Sequence, residues 1–203
     1  MPVRAVVFDV GETLVDEDRY WREVAARVGL PPHVVTAALG VTIARGEEHT
    51  ELWRHLDACQ PESIREVVYD AADLYPDAVP CLRSLRDRGF LLGAAGNQSP
   101  ALETWLRAQG LPLDVIGSSA SWGARKPSAD FFARVVDAVG IPAEEIVYVG
   151  DRVDNDVEPA ARAGLVAVHL RRGPWGLLQR ASPHARLVLG SLAELPAALA
   201  SLA

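Results

Sequence analysis

The sequence predicts a three-layer α/β fold, a parallel sheet between helices with a helical cap inserted after the first strand. Three observations predict it. Short apolar runs alternate with helix-like segments along most of the chain, and that alternation builds parallel sheets. The alternation stops only between about residues 15 and 75, where apolar residues recur at helical spacing without a convincing strand. Carboxylates and one lysine follow the apolar runs, at the sheet edge where open parallel sheets bind ligands.

Residues 3–10 are apolar and β-branched and are closed by Asp9 and Gly11, as expected of a buried strand followed by a tight loop. The runs at 90–95, 115–118, 146–149 and 166–170 have the same character, and 187–189 is a shorter sixth. Helices are expected at 78–88, 100–109, 128–139, 157–163 and 192–202; several stop at a glycine, as helix C-termini prefer. In the interrupted region Trp21, Val24, Ala25 and Val28 share a helical spacing, as do Val34, Val35, Ala38 and Val41, and then Ile64, Val67 and Val68. They predict three or four helices with breaks at 29–32, near Gly46 and at Pro61. The expected division is a core of residues 1–14 and 76–203 and a cap of residues 15–75.

The length of 203 residues suits one core domain with a modest insertion. Hydrophobic residues make up 49% and charged residues 23%, a normal globular mixture. The net charge is -7 and the densest basic run is the pair Arg171 and Arg172, which argues against a nucleic-acid partner. Cys59 and Cys81 are too few for a disulfide scaffold and are expected to be buried or partly buried free thiols. No signal-peptide pattern opens the chain, and no apolar stretch reaches the ~20 residues of a membrane helix. A cytoplasmic protein with no membrane partner, monomeric or homodimeric, is expected.

The residues that follow the strands carry the chemistry. They are Asp9 after the first, Gly96 and Asn97 after the second, and Asp151 after the fourth, with Asp156 five positions on. Lys126 lies in the loop SASWGARKPS. Taken singly, each Asp is explained as a cap or turn residue and the lysine as a solvated one. Taken together, Asp9, Asp151 and Asp156 would repel one another strongly at one edge. A divalent cation relieves that repulsion, and an all-oxygen site suits Mg²⁺.

These segments resemble the motifs of the haloacid dehalogenase superfamily. FDVGETL is similar to its first motif, an apolar strand ending in Asp-x-Asp-Gly-Thr; GARKPSADFF is similar to its third and IVYVGDRVDNDVEPAARAGL to its fourth. The resemblance spans essentially the whole chain. It implies a Rossmann-like core and, for the insertion, the small cap of the first subgroup. It also implies a hydrolase in which Asp9 attacks phosphorus and forms an aspartyl-phosphate. Mg²⁺ would be held by Asp9, Asp151, Asp156 and the Gly11 carbonyl, and Lys126 would neutralise Asp9 and the phosphoryl charge. Backbone amides of residues 11–13 and 96–98 would cradle phosphate oxygens, which makes Glu12, Thr13, Gly96, Asn97 and Lys126 the substrate-binding candidates. The partner is then a small phosphorylated molecule.

Two positions depart from the family pattern. Gly11 stands where the family's phosphatases have a second Asp, the general acid and base, and Gly96 where they have Ser or Thr. Loss of acid–base assistance costs about 10²–10⁴ in rate, on the order of 3–5 kcal/mol of barrier. A preference for aryl or acyl phosphates, whose leaving groups need little proton assistance, is therefore expected, with Gly11→Asp favouring alkyl phosphates. Glu12 is either a substitute acid in an awkward place or a solvent-facing loop residue; Asp16, Glu17 and Asp18 stand where the chain passes into the cap. Trp21, Trp53, His49 and His55 either line a substrate pocket or are ordinary core and surface residues. Two other functions stay open: a dehalogenase, compatible with Gly11 but not with the metal-binding arrangement at Asp151 and Asp156, and a non-catalytic protein that keeps a metal and phosphate site.

Overall fold

The computed structural model describes residues 2–60, 62 and 69–200. Six strands form one sheet: β1 (Ala5–Phe8), β2 (Leu91–Gly96), β3 (Val115–Ser118), β4 (Ile146–Gly150), β5 (Val166–Leu170) and β6 (Leu187–Leu189). Each pair of neighbours is parallel, and the order across the sheet is β3-β2-β1-β4-β5-β6. The fold is the expected Rossmann-like α/β fold. β1 is apolar throughout and buried throughout, because it lies between β2 and β4 with a layer on each face. Alternate residues of the strands enter opposite layers. Val6, Phe8, Leu92 and Val147 pack with α4 (Ala78–Asp87), α5 (Pro100–Ala108) and α10 (Leu195–Ala200). Ala5, Val7, Ile146 and Tyr148 pack with α7 (Ala129–Val139) and α8 (Glu158–Arg162).

The chain builds outward from β1 through β2 and β3 and then returns to the far side of β1 at β4. Strand order therefore reverses beside β1, which opens a crevice at the carboxyl ends of β1, β2 and β4. The loops beginning at Asp9, Asn97 and Asp151 meet there.

The insertion contains α1 (Asp18–Arg27), α2 (Pro32–Ala44), a 3₁₀ turn at His49–Glu51 and α3 (Leu52–His55). The breaks fall near Gly29 and Gly46, as expected. The expected helix through Ile64, Val67 and Val68, and the break at Pro61, lie outside the described residues. Val24, Ala25, Val35, Leu39, Ile43, Leu52 and Trp53 form an apolar cluster of their own, joined by Trp175 of the core. The two crossings between insertion and core meet at an antiparallel bridge, Val15 to Leu74.

Several expectations are corrected. The helix expected at 157–163 begins earlier, as a π-helical turn at Val153–Val157 that continues into α8. Of the helix expected at 192–202, the described part is a 3₁₀ turn, Leu192–Glu194, followed by α10, and residues 201–202 lie outside the described residues. Two short helices, α6 (Ser119–Trp122) and α9 (Gly173–Leu178), were not expected, because four to six residues carry too little periodicity to register. Cys59 is exposed rather than partly buried, and both cysteines are free. Among the described residues no single helix is long and apolar enough to cross a membrane.

Candidate active site

The site is built from loops that prolong the strands. The Asp9 amide donates to the Val149 carbonyl at 2.8 Å, which carries the β1–β4 pairing one residue beyond the strand and fixes where Asp9 stands. Lys126 is set from the opposite layer. Ser128 caps α7 by accepting from the Phe131 amide at 3.3 Å, and Phe131 and Phe132 are fully buried. Burial of each ring is worth ~1.5–3 kcal/mol, enough to hold the preceding loop in place. Asn97 completes the clamp: its side chain accepts from the Lys126 amide at 2.8 Å and donates to the Lys126 carbonyl at 3.1 Å. Asn97 thus positions the lysine backbone and keeps one amide hydrogen of its side chain, on a residue that lines the cavity.

The Lys126 side chain is 1% exposed, and its Nζ lies 2.7 Å from Asp9 Oδ1 and 2.6 Å from Asp156 Oδ1. Asp156 comes from the π-helical turn and also accepts from the Arg152 amide at 3.0 Å. It lies directly against Gly150: a Cβ there would stand 2.4 Å from the Asp156 carboxyl carbon, so only glycine fits. Asp151 follows β4; its carbonyl accepts from His169 Nε2 at 3.0 Å, while its buried Oδ2 has no hydrogen-bond partner. One carboxylate oxygen from each of Asp9, Asp151 and Asp156 lies within 4.8 Å of the others.

Electrostatics follow from this crowding. Burial drives the Asp156 carboxyl up to about 6, against the opposing pull of Lys126. Burial, then Asp156 and Asp9, push Asp151 well above the ordinary carboxylate range. Burial alone would lower the Lys126 ammonium, but Asp156 and Asp9 outweigh it and the net shift is upward. Three carboxylates against one ammonium leave two negative charges uncompensated if all are ionised. A divalent cation restores the balance, and the unpartnered Asp151 oxygen gives it a donor. Residues and ion fit on charge and on donor chemistry.

A cavity of about 220 Å³ opens above this floor. Asp9, Lys126 and Asp151 line it from the core, and Glu17, Trp21, His49 and Tyr69 line it from the insertion. The candidate aromatics therefore divide: Trp21 and His49 reach the cavity, Trp53 belongs to the insertion's apolar cluster, and His55 Nε2 pairs with Glu47 at 2.5 Å. Trp175 lines it as well, with the Arg152 guanidinium 3.6 Å over its ring.

Both departures from the expected pattern are filled by other side chains. A Cβ built at Gly11 would stand 2.3 Å from Glu17 Oε1. One built at Gly96 would meet Asp9 Oδ1 at 2.5 Å and Gln98 Nε2 at 3.3 Å. The Gln98 Oε1 is buried without a hydrogen-bond partner, and Gln98 lines the cavity. Glu12 is not solvent-facing. It is 7% exposed, its Oε2 accepts from the Tyr75 hydroxyl at 2.5 Å, and it lies against Gly173. Its φ of 52° is the left-handed region where glycine is easiest. Burial raises its carboxyl above the usual range. Thr13 is fully buried, and its hydroxyl has no partner.

A family model for haloacid dehalogenase-like hydrolases matches residues 3–164. The chain belongs to that family. Within the haloacid dehalogenase-like hydrolases it is 30% identical over 203 residues to a glyceraldehyde 3-phosphate phosphatase of Methanopyrus kandleri, covering 85% of this chain and 86% of that protein. It is 35% identical over 124 residues to a phosphoserine phosphatase of Thermus thermophilus, over 60% of this chain and 49% of that one. The fold matches that of the magnesium-bound putative HAD-hydrolase YfnB from Bacillus subtilis (TM-score 0.73, 18% identity, 98% and 99% of the two chains). It also matches an L-2-haloacid dehalogenase from Xanthobacter autotrophicus (TM-score 0.73, 18% identity, 99% and 100%). Resemblance at that identity establishes the fold alone.

Against the motifs of these hydrolases, the structure brings Asp9, Gly11, Glu12, Asn97, Lys126 and Asp151 onto one cavity, with Asp156 fully buried and held by Lys126. Gly96 ends β2 beside Asp9. Sequence reasoning set Glu17 at the entry to the cap without placing it beside Gly11, and missed the Gln98 side chain. The signal available was the pair of glycines itself, since a vacated position next to a nucleophile has to be filled from elsewhere.

Proposed function

We propose that this hydrolase is a Mg²⁺-dependent phosphatase of small phosphorylated metabolites, acting through an aspartyl-phosphate on Asp9. The observation that carries this is the buried Lys126 ammonium bridging Asp9 and Asp156 beside the unpartnered oxygen of Asp151. Asp9, Asp151 and Asp156, with the Gly11 carbonyl, would hold the Mg²⁺, which when bound neutralises charge on the phosphoryl oxygens. Lys126 pairs with Asp9 and presents a second positive charge to the phosphoryl group. Amides of residues 11–13 and 96–98 supply further donors, and Gln98 Nε2 stands near the space of the missing hydroxyl. We assign residues 1–14 and 76–203 to the core and 15–75 to a cap that covers the leaving group, as the cavity lining from both parts supports. The phosphatase names of the relatives point to phosphate esters as well.

A dehalogenase would need no cation, and the surplus negative charge beside Asp9 argues against that reading. The test is a screen of phosphorylated metabolites and 2-haloacids against the protein with Mg²⁺ and with EDTA. Phosphate release that requires Mg²⁺, and that Asp9→Asn lowers by about 10⁴-fold or more, is expected. Halide release in EDTA would replace the phosphatase with a dehalogenase; Mg²⁺ binding without any hydrolysis would leave a binding protein.

A further inference from the structure

We propose that Glu17, carried on the insertion, is the general acid and then the general base of this reaction, standing in the space that Gly11 leaves open. The proposal deepens the phosphatase reading and rests on it. Its foundation is placement. Gly11 lines the cavity together with Asp9, and the space that its missing side chain leaves holds a carboxyl from six residues later: Glu17 Oε1 and Cδ lie 2.3 Å and 2.9 Å from where a Cβ on Gly11 would be. Glu17 lines the same cavity as Asp9 and Lys126. It is oriented from behind, since the Tyr69 hydroxyl donates to its Oε1, and Tyr69 is itself held between the rings of Tyr20 and Trp105 at 6.2 Å and 5.5 Å.

The rival candidate is Glu12. Its carboxyl packs over Gly173, whereas the Glu17 carboxyl lies at the position that Gly11 vacates. Other carboxylates on the floor, Asp151 and Asp156, belong to the proposed cation site.

The steps balance. In the first, an Asp9 oxygen bonds to phosphorus, the bond from phosphorus to the leaving oxygen breaks, and that oxygen takes the Glu17 proton and departs as the alcohol. In the second, the Glu17 carboxylate takes a proton from water as the water oxygen bonds to phosphorus. The bond to Asp9 breaks, its electron pair returns to the Asp9 carboxylate, and phosphate leaves with Glu17 protonated again.

The first consequence concerns Gly11→Asp. Its Cβ collides with Glu17, so the single substitution lowers turnover of every substrate instead of favouring alkyl phosphates. The decisive variants are Glu17→Gln, which keeps size and the Tyr69 contact, and the double variant Gly11→Asp/Glu17→Ala, which moves the carboxyl to the family's usual position. Each is assayed in the pre-steady state, substrate in excess and Mg²⁺ present, on p-nitrophenyl phosphate and on glycerol 2-phosphate, with circular dichroism and Mg²⁺ titration as controls. In Glu17→Gln, alcohol release from glycerol 2-phosphate should slow by about 10²–10⁴-fold. The p-nitrophenolate burst should keep its rate within about threefold and then stall, because the aspartyl-phosphate waits for its base. The double variant should recover alkyl phosphate turnover relative to Glu17→Ala. Equal slowing of both first steps, with no stalled burst, would show a structural role and overturn the proposal, as would unchanged alkyl turnover. If Glu17→Gln does not fold, failure of the double variant to outperform Glu17→Ala overturns it. A wild-type protein that hydrolyses neither ester defeats the phosphatase reading instead, a separate outcome.

Discussion

The floor and the roof of the cavity are built on opposite principles. The floor comes from strand ends and their loops: Asp9, Lys126, Asp151 and Asp156 are all buried, Lys126 meets Asp9 and Asp156 at 2.7 Å and 2.6 Å, and an Asp151 oxygen lies within 4.8 Å of both carboxylates. The roof comes from a helical insertion with its own apolar cluster, and offers rings and hydrogen-bonding groups, Trp21, His49, Tyr69 and Glu17. Floor residues depend on one another, so changing one alters the charge state of the rest. Roof residues depend on how the insertion is seated. On the proposed reading the difference separates two kinds of control: the floor would govern whether phosphorus can be attacked, and the roof which ester is presented and how it leaves.

The sharpest way to break the comparison is Lys126→Met. It leaves the carboxylates buried without their counter-charge, which should cost about 3–5 kcal/mol in the metal-free protein. For a chain of this size that is roughly 10 °C in Tm. Added Mg²⁺ should restore part of it, measured by thermal melts with and without the ion. An unchanged Tm would mean that the floor is not one electrostatic unit.

A smaller effect is expected from pH. The Asp156 carboxyl titrates at about 6, above its unfolded value, so it is protonated below that pH and charged above it. Mg²⁺ must compete with that proton, and its affinity should fall as pH drops below about 6, by up to roughly tenfold per pH unit for one displaced proton. The same raised value means that the metal-free protein loses stability as pH rises from about 4 to about 6, since the folded state binds the extra proton there. Calorimetric titrations at pH 5 and 7.5 check the sign, and Asp151→Asn should abolish binding at both while leaving the fold intact. Binding that survives Asp151→Asn would remove that residue from the site.

The smallest effect tests where floor meets roof. Gln98→Ala should raise KM for a phosphate ester by about tenfold, the worth of one hydrogen bond to a charged group, with kcat nearly unchanged. A loss confined to kcat would show instead that Gln98 positions Asp9 across Gly96.

The floor was legible in the sequence because a strand end is a local event. A β-branched run followed by Asp9, and another followed by Gly150 and Asp151, place carboxylates with little help from distant residues, and parallel topology does the rest. The six strands and the first two insertion helices were legible for the same reason, a strong period over enough residues. What was not legible depends on close approach in three dimensions. Glu17 in the space of Gly11, Gln98 beside Gly96 and Trp175 joining the insertion's cluster leave no periodic trace. Of the two readings of Glu12, the solvent-facing one fails for a reason the sequence hides: its partner, Tyr75, lies 63 positions away.

The π-helical turn at Val153–Val157 has a consequence for the length of that loop as well as its letters. An α-helix advances about 100° per residue, and a π turn accommodates one residue more than an α turn. Were this turn wound as an ordinary α-helix with the same number of residues, the Asp156 carboxylate would be carried about 100° further around the axis, away from Gly150 and Lys126. Every acidic side chain would still be encoded, yet the proposed cation site would lose a ligand. Helical phase there would then be a functional variable, and insertion of one residue is expected to silence the site as completely as replacing the aspartate.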